Sequence, residues 1–181
     1  MVRRPTAARV VLREPTPDDE DEWIRRMRAS RRLHRPWIQM PVTPDGYRAY
    51  VARQIGDASR AQRIACRIED GAIVGFFNVS EIIRGKLSSA FLGYGGVAEF
   101  AGLGYMTEGM RLVLREAFTA LGLHRLEANI QPGNQASKAL AERCGFVYEG
   151  FSERYLKVGG RWRDHERWAI RAEQWERARW S

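Results

Sequence analysis

Long apolar runs are missing from this sequence: no stretch approaches the roughly 20 apolar residues that a helix needs to cross a bilayer. No apolar segment follows the basic Met1-Val2-Arg3-Arg4, so a secretory signal is not expected and the cytoplasm is. Cysteine is scarce. Cys66 and Cys144 lie far apart, which argues against a disulfide framework and fits a reducing compartment. The three histidines, His34, His124 and His165, stand singly with no metal-ligand spacing, so no metal is expected. Lysine is limited to Lys86, Lys138 and Lys157, and arginine carries nearly all the positive charge. No internal repeat or low-complexity linker divides the 181 residues, a length that suits one domain.

The formal charge is +8, with 44% hydrophobic and 29% charged residues. That balance belongs to a globular chain rather than a disordered one. A chain this basic is drawn to nucleic acid, ribosomes or anionic cofactors. The plainer reading, a solvated basic surface, carries more weight than a dedicated nucleic-acid groove.

Val10-Val11-Leu12 reads as a first strand. Thr16-Pro17 and the acidic run Asp18–Glu22 read as a helix start, the acids opposing the helix dipole, with the helix running to about Leu33. A second helix follows Thr43-Pro44-Asp45. Two strands, 64–69 and 73–80, flank the turn dipeptide Asp70-Gly71. A third spans 88–97 and contains Gly93, Gly95 and Gly96; glycine inside a strand marks a bulge or a close backbone approach. A long helix over 105–121 carries Met106, Met110, Val113, Leu114, Ala117, Phe118 and Leu121 at helical spacing. A strand over 124–130, a helix opened by Asn134, strands over 146–156 and 165–170, and a helical tail over 173–180 complete the chain. Strands and helices mix without strict alternation, so the expected class is α+β, a mostly antiparallel sheet with helices packed on it.

The informative stretch is Ala101-Gly102-Leu103-Gly104-Tyr105-Met106-Thr107-Glu108, between a strand and a long helix. Glycines there let backbone N–H groups converge on an anion, and the helix N-terminus adds a favourable field. A nucleotide P-loop is excluded because Gly-Lys-Ser/Thr is missing at the helix start. A dinucleotide fingerprint lacks its third glycine, where Thr107 stands, and its βαβ setting. A pyrophosphate loop of another kind, or an ordinary tight turn, remains.

Leu92-Gly93-Tyr94, then Gly102–Glu108, Asn134-x-x-Ser137, Cys144-Gly145-Phe146 and Glu149-Gly150 form an ordered series. Arg35-Pro36-Trp37, Asn78-Val79-Ser80, Arg84-Gly85, His124-Arg125 and Gly160–His165 extend it over about residues 9 to 172. The series resembles the GNAT acetyltransferase superfamily, in particular its RimJ/RimL-type branch of protein N-terminal acetyltransferases, closest to RimJ. The resemblance implies one GNAT domain over residues 1–181, with a core at about 9–172 and a helical tail. It implies a mixed, mostly antiparallel sheet of about six or seven strands with a splayed central pair, and helices on both faces. Acetyl-CoA is the implied acyl donor. Its pyrophosphate would sit on the amides of Gly102, Leu103, Gly104, Tyr105 and Met106. Its pantetheine would run beside Tyr94–Val97, with a bulge at Gly95 and Gly96 opening the sheet and Gly95–Val97 donors holding the oxyanion. Asn134 and Ser137 would lie near the thiol, with Ser137 as proton donor to it. Trp37, Arg84 and Tyr94 would contact the acceptor.

Three departures from the family pattern stand out. Ala101 replaces a Gln or Arg near the phosphates, Ala141 replaces a tyrosine acid, and Arg154 occupies a position where the branch often has an acidic base. Glu153, next to Arg154, is the candidate base. The implied reaction is direct acetyl transfer to a protein N-terminal α-amine, ribosomal proteins among the acceptors. Alternatives are a small amine acceptor (a polyamine, an amino acid or an aminoglycoside) and a weakly active CoA-binding factor associated with ribosome or RNA. Monomer and dimer both remain open.

Overall fold

The computed structural model describes residues 8–179. Seven strands form one sheet: β1 (Val10–Arg13), β2 (Ala61–Arg67), β3 (Ile73–Ile83), β4 (Ser89–Gly96), β5 (Arg125–Ile130), β6 (Val147–Val158) and β7 (Arg161–Arg171). Their order is β1-β2-β3-β4-β5-β7-β6, and every neighbouring pair is antiparallel except β4 and β5. The expected α+β class and mixed sheet are what the chain forms.

Among the described residues six helices pack on this sheet: α1 (Glu20–Ala29), α2 (Arg31–His34), α3 (Pro44–Ala52), α4 (Tyr105–Phe118), α5 (Gln135–Arg143) and α6 (Ala172–Arg179). The pleat decides which face each helix covers. Successive strand residues point to opposite sides, and Phe76 and Phe77 mark the two. The Phe76 ring stacks near Trp23 of α1 and His34 of α2. A Cβ placed on Gly109 of α4 would lie 2.6 Å from the Phe77 ring. Helices therefore cover both faces. The fully buried Trp23, Tyr47, Phe76, Phe77, Met110 and Leu126 hold the layers together.

The helix expected to reach Leu33 is broken into pieces. A 3-10 turn at Pro17–Asp19 precedes α1, and Ser30 separates α1 from α2. Ser30 is fully buried, and its hydroxyl accepts the N–H of Ala98, which ties the break to the far end of β4. The acidic run is matched by arginines. Asp19 pairs with Arg13, Glu20 with Arg48 and Glu22 with Arg26. Among the described residues no His, Cys, Asp or Glu group has metal-site geometry. No helix among them is long and apolar enough to cross a membrane.

Beyond Asp70-Gly71, the β3–β4 register runs without a shift from Ser80/Phe91 to Gly75/Gly96. The bulge expected at Gly95 and Gly96 is therefore absent. Glycine is needed at 95 for space: a Cβ there would sit 2.6 Å from Phe76 and 2.8 Å from Ile38. The sheet opens by another route. Parallel pairing of β4 with β5 covers only Ser89, Ala90 and Phe91 against Arg125, Leu126 and Glu127. Beyond those three pairs the two strands part.

Candidate active site

The parting of β4 and β5 leaves a cavity of about 580 Å³, within the usual size range of small-molecule sites. Its walls come from Leu92–Val97 on one side and Ala128–Gln131 on the other. The turn before α4 also lines it, as do His34, Trp37, Ile38 and His165.

The turn before α4 has the donor arrangement an anion needs. The N–H groups of Thr107 and Glu108 both return to the Gly104 carbonyl, and that of Leu103 reaches Phe100. Those of Gly104, Tyr105 and Met106 have no acceptor among the described residues, as the first turn of a helix dictates. Gly104 sits at φ +85°, in the left-handed region, where glycine is unstrained. Arg9 fixes the turn from outside, donating to the Leu103 carbonyl at 3.1 Å and pairing with Glu108. No Cβ at Gly102 would meet anything within 4 Å. Free amides, a helix field and open space together fit a pyrophosphate.

Ala101 lines the cavity here and offers no functional group. Arg143, the last residue of α5, does. It lines the cavity, its guanidinium reaches Thr107 Oγ1 at 3.4 Å, and it forms no ion pair among the described residues. Arg143→Ala is expected to weaken CoA binding about 3- to 10-fold and to flatten its salt dependence, measured by calorimetry at two ionic strengths. The estimate follows from one partly screened charge pair worth about 1 kcal/mol.

The middle of the cavity holds Asn134, Ser137 and Tyr94. Asn134 Oδ1 caps α5 by accepting the Ser137 N–H at 3.2 Å. The Ser137 hydroxyl donates to the Tyr94 oxygen at 2.8 Å, and the Tyr94 hydroxyl donates to the Ser137 carbonyl at 3.1 Å. Burial pushes the Tyr94 phenol up to about 12, against the opposing effect of its Ser137 hydrogen bond. Tyr94 therefore lines the cavity as the hydrogen-bond partner of Ser137.

Val97 lines the wall, but its N–H is committed to the Val74 carbonyl at 2.9 Å. That corrects its expected role as an oxyanion donor. In an antiparallel pair the direction of hydrogen bonding alternates, so Gly95, like Val97, is turned toward β3. The N–H of Gly96 faces the opened side, beside the carbonyl that accepts His34 Nε2 at 2.8 Å.

Trp37 packs over Gly133, and its carbonyl accepts from Gln131 Nε2 at 3.1 Å. His165 is 3% exposed and donates through Nδ1 to the Arg163 carbonyl at 2.9 Å. Burial holds both His34 and His165 below the ordinary histidine pKa, so both rings are neutral near pH 7.

Two expected site residues lie elsewhere. Arg84 follows the opposite end of β3 and donates to the Leu121 carbonyl, far along the strand from the Gly75–Gly96 pairing. Glu153 is exposed on β6 and does not line the cavity. The chain is irregular beside it, with Arg154 at φ +47° donating its N–H to Asp164, but the irregularity does not bring the carboxylate in. Trp162, within the Gly160–His165 segment of the series, is 61% exposed. Arg143 and His165 were missed by sequence reasoning. The one available signal for His165 was its place on the inward side of an alternating strand.

Residues 9–147 match the model of the acetyltransferase (GNAT) domain. The chain belongs to the GNAT family. The acyl donor of GNAT acetyltransferases is acetyl-CoA. The [ribosomal protein uS5]-alanine N-acetyltransferase of Escherichia coli is 34% identical over 107 residues, 59% of this GNAT chain and 55% of the relative. The chain spans about half the length of the first curated relatives it matches. The structure of Mycobacterium smegmatis RimJ in complex with CoA-disulfide superposes with a TM-score of 0.84 at 31% identity, covering 91% of this chain and 82% of that one. Spermidine N-acetyltransferase from Vibrio cholerae, in complex with CoA and spermine, superposes with a TM-score of 0.79 at 20% identity, covering 93% and 98%. At that identity the likeness concerns the fold alone.

Proposed function

We propose that this protein transfers the acetyl group of acetyl-CoA to the α-amine of a protein N-terminus, with ribosomal proteins among its acceptors. The observation that carries this reading is the character of the cavity wall. None of the described residues lining it is Asp or Glu, and its ionisable members are Tyr94, His34, His165 and Arg143. A polyamine or aminoglycoside brings several ammonium groups, and such ligands need carboxylates to replace their hydration. An α-amine brings one, with a pKa of about 7.7–8.0, so a useful fraction is neutral near pH 7. The name of the uS5-alanine relative and the RimJ neighbour point to the same acceptor class.

Bound acetyl-CoA supplies a thioester that the amine attacks directly. The free amides of Gly104, Tyr105 and Met106 hold its diphosphate end, and Arg143 adds a charge. The Gly96 N–H faces the opened side of β4, where charge develops on the carbonyl oxygen. In this reading the hydroxyl of Ser137, which lines the cavity, gives a proton to the departing sulfur. This reading puts the enzyme in the cytoplasm, and the charge of +8 favours encounter with ribosomes.

The test is an acceptor panel at saturating acetyl-CoA: short peptides with free N-termini, the same peptides blocked at the N-terminus but carrying lysine, spermidine, and an aminoglycoside. The expected result is a kcat/KM for free N-termini at least about 100-fold above every other class. Equal or better turnover of spermidine overturns the reading.

A further inference from the structure

The cavity contains no carboxylate base, and Glu153 stands outside it. The proton released by an amine as it becomes an amide must nevertheless leave. Two imidazoles line the wall. His34 is tied through Nε2–H to the Gly96 carbonyl, and its ring stands edge-on to Phe76 at 6.0 Å. His165 is held from the other side of its ring. Nδ1 donates to the Arg163 carbonyl at 2.9 Å, which fixes the tautomer and leaves the lone pair on Nε2. Tyr155 of β6 packs edge-on against it at 6.3 Å. Nε2 has no hydrogen-bond partner among the described residues. In the same wall, on the neighbouring strand β5, Asn129 Oδ1 is buried without a donor. An orphan carbonyl oxygen and an imidazole lone pair in one wall are both acceptors, and both call for a ligand that brings N–H groups.

We infer that His165 Nε2 takes the proton from the attacking amine, with Asn129 Oδ1 accepting a second amine hydrogen. This assignment deepens the proposed acetyl transfer and rests on it. The nitrogen lone pair forms the C–N bond, the C–S bond breaks with its electron pair going to sulfur, and the amine proton passes to His165 Nε2. The Ser137 hydroxyl gives its proton to sulfur and is re-protonated from solvent, and His165 returns the amine proton to solvent, so every group ends as it began. The charged and titratable groups around the ring are Asp164 and Arg163 on its own strand and Tyr155 on β6. From the β5 side Asn129 and Gln131 line the cavity and carry no charge. Burial disfavours the imidazolium, while the Arg163 carbonyl and Asp164 oppose that effect, so the ring is neutral and ready to accept at pH 7.

The test uses whichever amine the wild-type protein turns over best, so failure of the N-terminal reading in the acceptor panel leaves this experiment intact. His165→Gln is expected to lower kcat about 100-fold or more, the usual scale of acid–base assistance. CoA affinity by calorimetry should change less than about twofold. The acidic limb of the wild-type kcat–pH profile should be missing from His165→Gln. Added imidazole should restore His165→Ala by at least about tenfold. A kcat within about threefold of wild type overturns the assignment. So does a loss that keeps the acidic limb and resists imidazole, since that marks a purely structural role. Disappearance of the limb in His34→Gln or Glu153→Gln instead of in the His165 variant overturns it as well.

Discussion

Gly104→Val is expected to raise the Kd for CoA at least about 100-fold, equivalent to about 2.7 kcal/mol. Gly104 holds φ +85°, where an L side chain costs roughly 1–2 kcal/mol and a β-branched one is a genuine outlier. The new Cβ would also lie 3.2 Å from the Arg9 guanidinium that anchors the turn. Relaxing that strain turns the peptide and disperses the amides of Gly104, Tyr105 and Met106, each a charge-assisted donor worth about 1.5–3 kcal/mol to an anion. The helix itself should persist, because Met110, Val113, Leu114 and Ala117 of α4 remain buried. Calorimetry with CoA, beside circular dichroism to establish folding, checks the result. A folded variant that binds CoA within about threefold of wild type would refute the role of the turn.

Ser137→Ala is expected to lower kcat about 10- to 100-fold with little change in KM for acetyl-CoA, and Tyr94→Phe about 3- to 10-fold. The order follows from the hydrogen bonds. Ser137 donates to Tyr94, and Tyr94 donates to the Ser137 carbonyl. When the serine hydroxyl turns to the departing sulfur, the tyrosine hydroxyl can turn to the serine oxygen and hydrogen-bond it. With its phenol at about 12, Tyr94 keeps its proton at every working pH. The helix cap uses the backbone N–H of residue 137, so alanine there leaves the cap in place. A melting temperature within about 3 °C of wild type is therefore expected, on the scale of about 1 kcal/mol for a chain this size. Steady-state kinetics with a thiol readout separates the cases; an unchanged kcat for Ser137→Ala removes the hydroxyl from the reaction.

Much of this site was legible in the residues because its parts are local. The turn before α4 needs glycines at fixed offsets from a helix start, and Gly102 and Gly104 stand there. Asn134 and Ser137 are three apart on a first helical turn, so one caps the other. The acidic run at Asp18–Glu22 read correctly as helix-start chemistry, although only the fold reveals Arg13, Arg48 and Arg26 as its partners. What stayed hidden depends on pairing between distant segments. The opening of the sheet looked like a bulge at Gly95 and Gly96, because glycine has several uses in a strand. Only the three-pair contact of β4 with β5 reveals its cause. Whether Glu153 or His165 faces the cavity depends on the β6–β7 register, which shifts twice. Arg143 reaches Thr107, beside the turn before α4, across a gap of 36 residues, a distance in sequence that no local motif spans.

The short β4–β5 ladder also sets how the halves of the molecule are joined. Strands β1–β4 and strands β5–β7 form two antiparallel blocks stitched by three parallel pairs. Past that seam each block presents bare strand edge toward the other. Under the proposed function the cosubstrate's arm lies in this gap, where it would take up the strand edges that the two blocks leave bare and join them beyond the three-pair seam.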